Sequence, residues 1–227
     1  MTKIDVLDKG YVRLVDHMGS DLSIVNAARV SYDKESAEFS DRDARLLQFL
    51  MDHDHTSPLR HAALTFEVYA PLMVARQWWK YAVGSTYIDD QNGWNESSRR
   101  YVTENEEFYE KFTWRSAPEN SKQGSGDDLD PTTSSMWTMM LDQYLRHSEA
   151  LYFRAINAGI APEQARLFLP ANGLYVRWRW TVSLASLIHF LDQRLGHDAQ
   201  FEISQYALAV RELAQPLYPN TFRAYFS

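Results

Sequence analysis

Residues 95–100 read Asn-Glu-Ser-Ser-Arg-Arg, six side chains in a row that all carry hydrogen-bonding or charged groups. A hydrophobic core has no use for such a run. Backbone amides and hydroxyls in a tight turn can ring a phosphate, and an adjacent arginine can clamp it with two parallel N–H groups. Ser97, Ser98, Arg99 and Arg100 suit that task. Glu96 would repel a phosphate, so it must face ribose hydroxyls or a ring N–H. The run therefore describes a nucleotide, with phosphate at the serine–arginine end and sugar or base at the glutamate end. The competing reading is a solvated loop whose charges pair with one another.

Three further constellations could do chemistry. Residues 76–80, Arg-Gln-Trp-Trp-Lys, lie in helical sequence. Arg76 and Lys80 share one face, and Gln77 can read a base edge with one donor and one acceptor. Arg166 and Arg194 each end a short apolar helix, where an arginine either satisfies the helix dipole or, together with Arg100, converges on one anion. His53, Asp54, His55 and His61, with His197 and Asp198, offer metal-ligand types. Metal-dependent phosphate hydrolysis would need further ligands on other helices, and loop histidines more often serve as hydrogen-bond partners. No metal is expected.

The 227 residues suit a single domain, here taken as 1–227 with a long loop insertion at about 84–133. With no cysteine, disulfides, zinc-thiolate sites and a thiolate nucleophile are excluded. The net charge of −7 argues against nucleic-acid coating, so any anion site must be a local arginine cluster. No apolar run is long enough to span a bilayer and the first ten residues lack an apolar signal core, so no membrane partner and a cytoplasmic location are expected.

The elements that must position these groups follow from periodicity. Residues 4–19 alternate as one or two strands. Asp21 caps a helix over 22–31, and a second runs from about Ser40 to Asp52. A half-buried strand is predicted at 64–70 and a helix at 71–83. After the polar insertion, whose tip near 118–130 is expected to be mobile, residues 132–158 form the longest helix. Its inward stripe is Trp137, Met140, Leu141, Tyr144, Leu145, Ser148 and Leu151, and Gly159 ends it. A short helix at 161–170, a strand at 174–182, and helices at 183–196 and 199–217 complete the chain. Along the strand, Val176, Trp178, Trp180 and Val182 share one face and Arg177 and Arg179 the other. Strands and helices mix without a βαβ rhythm, which makes the class α+β, mixed α/β.

The order of these motifs, "ARQWWK", "NESSRRY", "ARLFLP" and "SLASLIHFLDQR…HDAQFEISQYA", resembles the flavin-dependent thymidylate synthases, over nearly the whole chain. The resemblance implies an antiparallel sheet flanked by helices, a homotetramer with active sites at subunit interfaces, and reductive methylation of dUMP to dTMP. Methylenetetrahydrofolate would supply the carbon, and NADPH would reduce a bound FAD. By motif, the dUMP site would draw on Gln77, Trp78, Trp79, Lys80, Glu96, Ser97, Ser98, Arg99, Arg100, Arg166 and Arg194. Arg194 would be catalytic, stabilising the negative charge of an ionised N3 and so making ring C5 nucleophilic with no covalent protein adduct. The flavin would meet His55, Ser57, Lys80, Tyr81, Glu96, Ser183, Ala185 and His189.

The chain departs from the family pattern in one half of its signature. That signature reads Arg-His-Arg, a short gap, then Ser-x-Asn-Glu-x-Ser-x-Arg. Here the triplet is Lys80-Tyr81-Ala82 and the gap is longer. FAD is expected to bind through a variant set of contacts, with Lys80 as one cation and Tyr81 as a stacking ring. The alternatives are a nucleotide-binding protein that has lost flavin chemistry and a metal-dependent nucleotide phosphohydrolase.

Overall fold

The computed structural model describes residues 2–84, 93–97, 106–119 and 124–226, and the side chains of all of these except 81–84. Five strands form one antiparallel sheet: β1 (Lys3–Val6), β2 (Gly10–Met18), β3 (Ala63–Pro71), β4 (Gly93–Glu96) and β5 (Tyr175–Ser183), in the order β1-β2-β3-β5-β4. The helices are α1 (Asp21–Arg29), α2 (Asp41–Asp52), α3 (Leu72–Gly84), α4 (Pro131–Asn157), α5 (Pro162–Ala165), α6 (Leu184–Arg194), α7 (Phe201–Ala214) and α8 (Pro219–Tyr225). The α+β expectation holds.

The strand at β5 forms for the reason its pattern suggests. Val176, Trp178, Trp180 and Val182 are buried, while Arg177 and Arg179 stay exposed on the opposite face. That opposite face is polar across the sheet: Glu67 on β3 pairs with Arg13 on β2 at 2.9 Å. On the apolar face, Trp78 of α3 packs edge-on against Trp178 and Trp180, stacks on Phe190 of α6 at 4.6 Å, and meets Tyr206 of α7. Gly10 is required where β2 begins, because a Cβ there would lie 1.8 Å from the Tyr206 hydroxyl. That hydroxyl instead donates to the Tyr69 carbonyl at 2.9 Å.

The structure corrects several boundaries. Ser20, not Asp21, caps α1, in a reciprocal box with Ser23. Asp21 is buried and accepts four hydrogen bonds from Asn220 and Thr221, pinning α8, a helix that the periodicity left unseen. A strand, β4, forms inside the stretch read as polar loop, because the edge of β5 offers it unpaired backbone groups. Trp137, Met140 and Tyr144, expected to face inward on α4, are each about half exposed. Among the described residues the N-terminal half of that helix meets Trp114, which donates to Thr138 at 3.0 Å, and its buried residues begin at Leu145. Around the expected mobile tip, 120–123 lie outside the described residues, whereas the flanking chain is tied by Ser116 N–H to the Asp127 carbonyl and Gly126 N–H to the Ser116 carbonyl. Residues 106–109 return along the start of β5, with Tyr175 N–H donating to the Glu107 carbonyl at 2.8 Å.

A single carboxylate fastens the 30–40 connection to α2. Asp43 accepts from Arg29 at 2.6 and 3.1 Å, from the Ser36 hydroxyl at 2.9 Å, and from the Ser40 amide and hydroxyl at 2.9 and 2.5 Å. Burial pushes its pKa up, but the hydrogen bonds from Ser40, Arg29 and Ser36 outweigh burial and hold it down at about 2. A depressed carboxylate contributes stability above its unfolded pKa and loses it as pH falls through the folded one. Asp43→Asn is expected to cost about 3 kcal/mol at pH 7, since it leaves the partly buried Arg29 beside a neutral amide. Urea unfolding should show the gap to wild type narrowing as pH falls from the ordinary carboxylate range toward about 2.

Candidate active site

The α3 helix begins the moment β3 ends, and its first turn is tied down by two bonds. Leu72 N–H donates to the Leu174 carbonyl at 2.8 Å and Met73 N–H to the Asn172 carbonyl at 3.0 Å. With Val74, Ala75 and Trp78 buried against the sheet, the helical period turns Arg76, Trp79 and Lys80 outward and leaves Gln77 half-buried at the margin. On the far edge of the sheet, β4 lays Trp94 opposite Trp180 and Glu96 opposite Trp178. Trp94 stacks on Trp178 at 4.9 Å. Pairing runs one residue further, where Ser97 N–H donates to the Arg177 carbonyl at 2.8 Å and its hydroxyl accepts from Arg177 N–H at 3.3 Å.

Between α3 and β4 lies a cleft of about 520 Å³, lined by Leu72, Ala75, Arg76, Gln77, Trp79, Lys80, Trp94 and Glu96. A second cleft, of about 450 Å³, shares Leu72 and Glu96 with the first and adds Ser97, Arg166 and an apolar wall that includes Leu169 and Leu174. Loss of hydration raises the pKa of the Glu96 carboxyl above the usual glutamate value, and a hydrogen bond from Trp94 partly offsets this. Arg166 sits in the turn that follows α5. Its Nε donates to the Glu163 carbonyl at 3.1 Å, and its terminal nitrogens make no further hydrogen bond among the described residues. One guanidinium thus serves its own turn and keeps an edge for an anion.

The structure therefore gathers Gln77, Trp79, Lys80, Glu96, Ser97 and Arg166 around two joined clefts. Arg194 closes α6 one turn beyond Phe190, on the stripe that faces α3, and lines neither cleft. Ser98, Arg99 and Arg100 lie outside the described residues, as does the side chain of Tyr81.

Trp78 is a correction. It is completely buried among Trp178, Trp180 and Phe190 and touches no cleft, because the helical stripe that carries Val74 and Trp78 is the one the sheet covers. Of the expected flavin contacts, His55 and Ser57 are exposed in the turn before β3, His189 is exposed on α6, and Ala185 is half-buried beside it. The turn from Ser57 to His61 packs against α6, where Ala185 lies in the first turn and His189 at mid-helix. Ser183 is the second correction. It is fully buried, and its hydroxyl accepts from Ser186 N–H as the N-cap of α6, so it faces no ligand in this chain. Among the described residues no three His, Asp or Glu are placed to hold a metal. His53 instead stacks on Phe49 at 4.1 Å. Trp94 directly precedes the polar run but carries no signal of its own in the sequence, because the alternation of one short strand does not show against its surroundings.

The fold is thus an antiparallel sheet whose edge carries a cleft lined by aromatic rings, an amide and cations. Comparison with known proteins identifies the family. The model of the "thymidylate synthase complementing protein" family matches residues 13–220. A flavin-dependent thymidylate synthase of Thermus thermophilus is 41% identical over 223 residues, covering 98% of this chain and 77% of the relative. That of Thermotoga neapolitana is 39% identical over 228 residues, covering 98% and 94%. The solved structure of the UMP/dUMP methylase PolB of Streptomyces cacaoi, bound with 5-Br dUMP, has a TM-score of 0.81 at 27% identity and covers 98% of this chain and 97% of its own. The chain belongs to the flavin-dependent thymidylate synthases.

The two adjacent tryptophans should separate cleanly on substitution. Trp78→Ala is expected to cost about 3–5 kcal/mol, enough to unfold much of a marginally stable domain. Trp79→Ala, at a residue 51% exposed, should leave the thermal midpoint nearly unchanged while weakening binding of a flat-ring ligand. Thermal melts and ligand titration on the two variants check this.

Proposed function

We propose that the joined clefts between α3, β4 and the turn at Arg166 seat dUMP for reductive methylation to dTMP. The observation that carries this is the sharing of Glu96 between two clefts, one with the amide and the rings, the other with Ser97 and Arg166. Gln77 and the aromatic walls suit a pyrimidine. Ser97 and Arg166, joined by Ser98 and Arg100, suit its phosphate. Glu96 stands where the two meet. The net charge of −7 makes these local cations the attraction for a dianionic substrate.

The residues fit a flavin. Trp79 exposes half its surface beside Arg76 and Lys80, offering a face for a ring and two cations for a pyrophosphate. His55 and Ser57 on the turn before β3, and Ala185 and His189 on the α6 helix that this turn packs against, would meet the rest of such an extended molecule, with Tyr81 as a further stacking ring. FAD would carry the reducing equivalents, with NADPH as their source and methylenetetrahydrofolate as carbon donor. The protein's own part is to hold the nucleotide and stabilise charge on its ring. Arg194, which lines neither cleft of the single chain, is assigned to the ionised N3 on the family motif and would reach the ring where subunits meet, a form of electrostatic stabilisation that typically contributes about 3–4 kcal/mol.

The working form is proposed to be a cytoplasmic homotetramer. The supporting feature is the N-terminal half of α4, where Met136, Trp137, Met139, Met140 and Tyr144 are 45–56% exposed in the single chain. Such a density of large apolar groups marks an association surface.

The first test is the absorbance spectrum of the purified protein with and without dUMP. Bound flavin perturbed by dUMP is expected, and protein that stays colourless after soaking with FAD would overturn the flavin assignment. Arg194→Ala is expected to abolish NADPH-dependent dTMP formation while lowering dUMP affinity only modestly, because it removes stabilisation realised in the transition state. Turnover within a few-fold of wild type would remove Arg194 from the mechanism.

A further inference from the structure

A continuous chain of aromatic rings leads from the cleft, through the core, to the far face of the sheet. Trp94, which lines the α3–β4 cleft, stacks on Trp178 at 4.9 Å with an interplanar angle of 20°. Trp178 meets Trp78 at 5.4 Å, and Trp78 meets Tyr206 at 6.4 Å. The chain then crosses the sheet. Because Gly10 has no side chain to block it, the Tyr206 hydroxyl reaches the backbone of β3 and donates to the Tyr69 carbonyl at 2.9 Å. The Tyr69 ring lies on the polar face with Glu67, two residues before it on β3. There it is 4.8 Å from Tyr175 and 5.8 Å from the half-buried Tyr11.

The two halves of the chain differ in what they can do with a proton. The indole N–H groups of Trp78 and Trp178 have no hydrogen-bond partner among the described residues. Each tyrosine on the polar face donates to a carboxylate: Tyr11 to Glu67 at 2.9 Å, Tyr175 to Asp8 at 2.6 Å, and Tyr69 to Glu107. An indole that loses an electron in the core keeps its proton and becomes a buried cation, which is costly. A phenol that loses an electron passes its proton along an existing hydrogen bond and ends neutral. An oxidised phenol is so strong an acid that even Glu67, which also pairs with Arg13, takes its proton. Lys3, 4.6 Å over the Tyr11 ring, is itself paired with Asp5 at 2.8 Å, which offsets its charge. An electron vacancy is therefore drawn from the tryptophans to the tyrosines, away from the cleft.

We propose that this chain is a one-electron relay, through which an oxidant in the cleft takes its electron from Tyr11 in place of the rings beside it. The proposal rests on the reading that a flavin is seated in that cleft. The oxidant is oxidised flavin excited by blue light. Trp94 gives up one electron to it, and is refilled in turn through Trp178, Trp78, Tyr206 and Tyr69. Tyr11 supplies the last electron as its phenolic proton passes to Glu67. The sum is one electron gained by the flavin, one neutral Tyr11 radical and one protonated Glu67. A reductant in solution, such as ascorbate, then returns an electron to Tyr11 while Glu67 gives the proton back.

The test is flash illumination of the FAD-loaded protein, read by transient absorption and electron spin resonance, which distinguish tryptophan from tyrosine radicals. Wild type should show a tryptophan radical that gives way to a tyrosine radical, and ascorbate should remove the latter. Each variant keeps a ring in place, thermal melting confirms its fold, and all are compared at equal flavin load. Trp94→Phe should lose both radicals. Tyr206→Phe should keep the tryptophan radical and lose the tyrosine radical. Tyr11→Phe should leave the tyrosine radical on Tyr69, where ascorbate removes it more slowly, with dTMP formation in the dark unchanged. Wild-type signals in both Trp94→Phe and Tyr206→Phe overturn the relay while the flavin seat stands. So does a loss of both radicals in Trp79→Phe but not in Trp94→Phe, which would place the electron donor on the other wall of the cleft. Protein that takes up no FAD overturns the seat, and the relay with it.

Discussion

The contact on which the rest of the molecule depends is the insertion of Trp78 into the aromatic ladder of β5. Its ring meets Trp178, Trp180, Phe190 and Tyr206, and so joins α3, α6 and α7 to the sheet at one point. The indole N–H groups of Trp78, Trp178 and Trp180 have no hydrogen-bond partner among the described residues. Leaving such a group dry costs about 1–3 kcal/mol. Burying an aromatic side chain removes about 150–250 Å² from water, roughly 4–6 kcal/mol at the usual coefficient. Burial wins for each ring, though by less than area alone suggests. The edge-to-face geometry adds a little more.

That one seam decides where the chemistry can sit. A helix anchored through Val74 and Trp78 must turn Arg76, Gln77, Trp79 and Lys80 toward its flanks. A strand paired to the far edge of β5 must bring Trp94 and Glu96 to the same flank. The cleft is the space left between these two consequences. The same seam sets the place of Arg194, one turn beyond the ring that stacks on Trp78. Cleft and core therefore share neighbouring residues along a single helix: Trp78 packs, while Gln77 and Trp79 on either side of it line the cleft.

Much of this was legible beforehand, for identifiable reasons. The alternation of β5 is strong because four large apolar residues are interleaved with two arginines, and the structure buries and exposes them as the pattern implies. The polar run at 95–97 was recognisable by its chemistry, since nothing apolar competes for it. The failures also have causes. β4 is four residues long, too short for a period to show. The exposed stripe on α4 reads as core because amphipathic spacing reports an apolar face and not what covers it. Trp78 and Trp79 look alike in sequence, and only the helix phase separates a core ring from a cleft ring.

The sequence by itself determined the order of the helices and strands other than β4 and α8, the exclusion of thiol chemistry, and the set of residue types able to hold a pyrimidine monophosphate. These are local properties, written in composition, spacing and motif. Tertiary structure alone decided that Gln77 meets Gln200, that Glu96 divides two clefts, and that Ser183 spends its hydroxyl on a helix cap. Each of those depends on where residues far apart in the chain come to rest. Side-chain packing against a twisted sheet sets that position, and no local pattern encodes it.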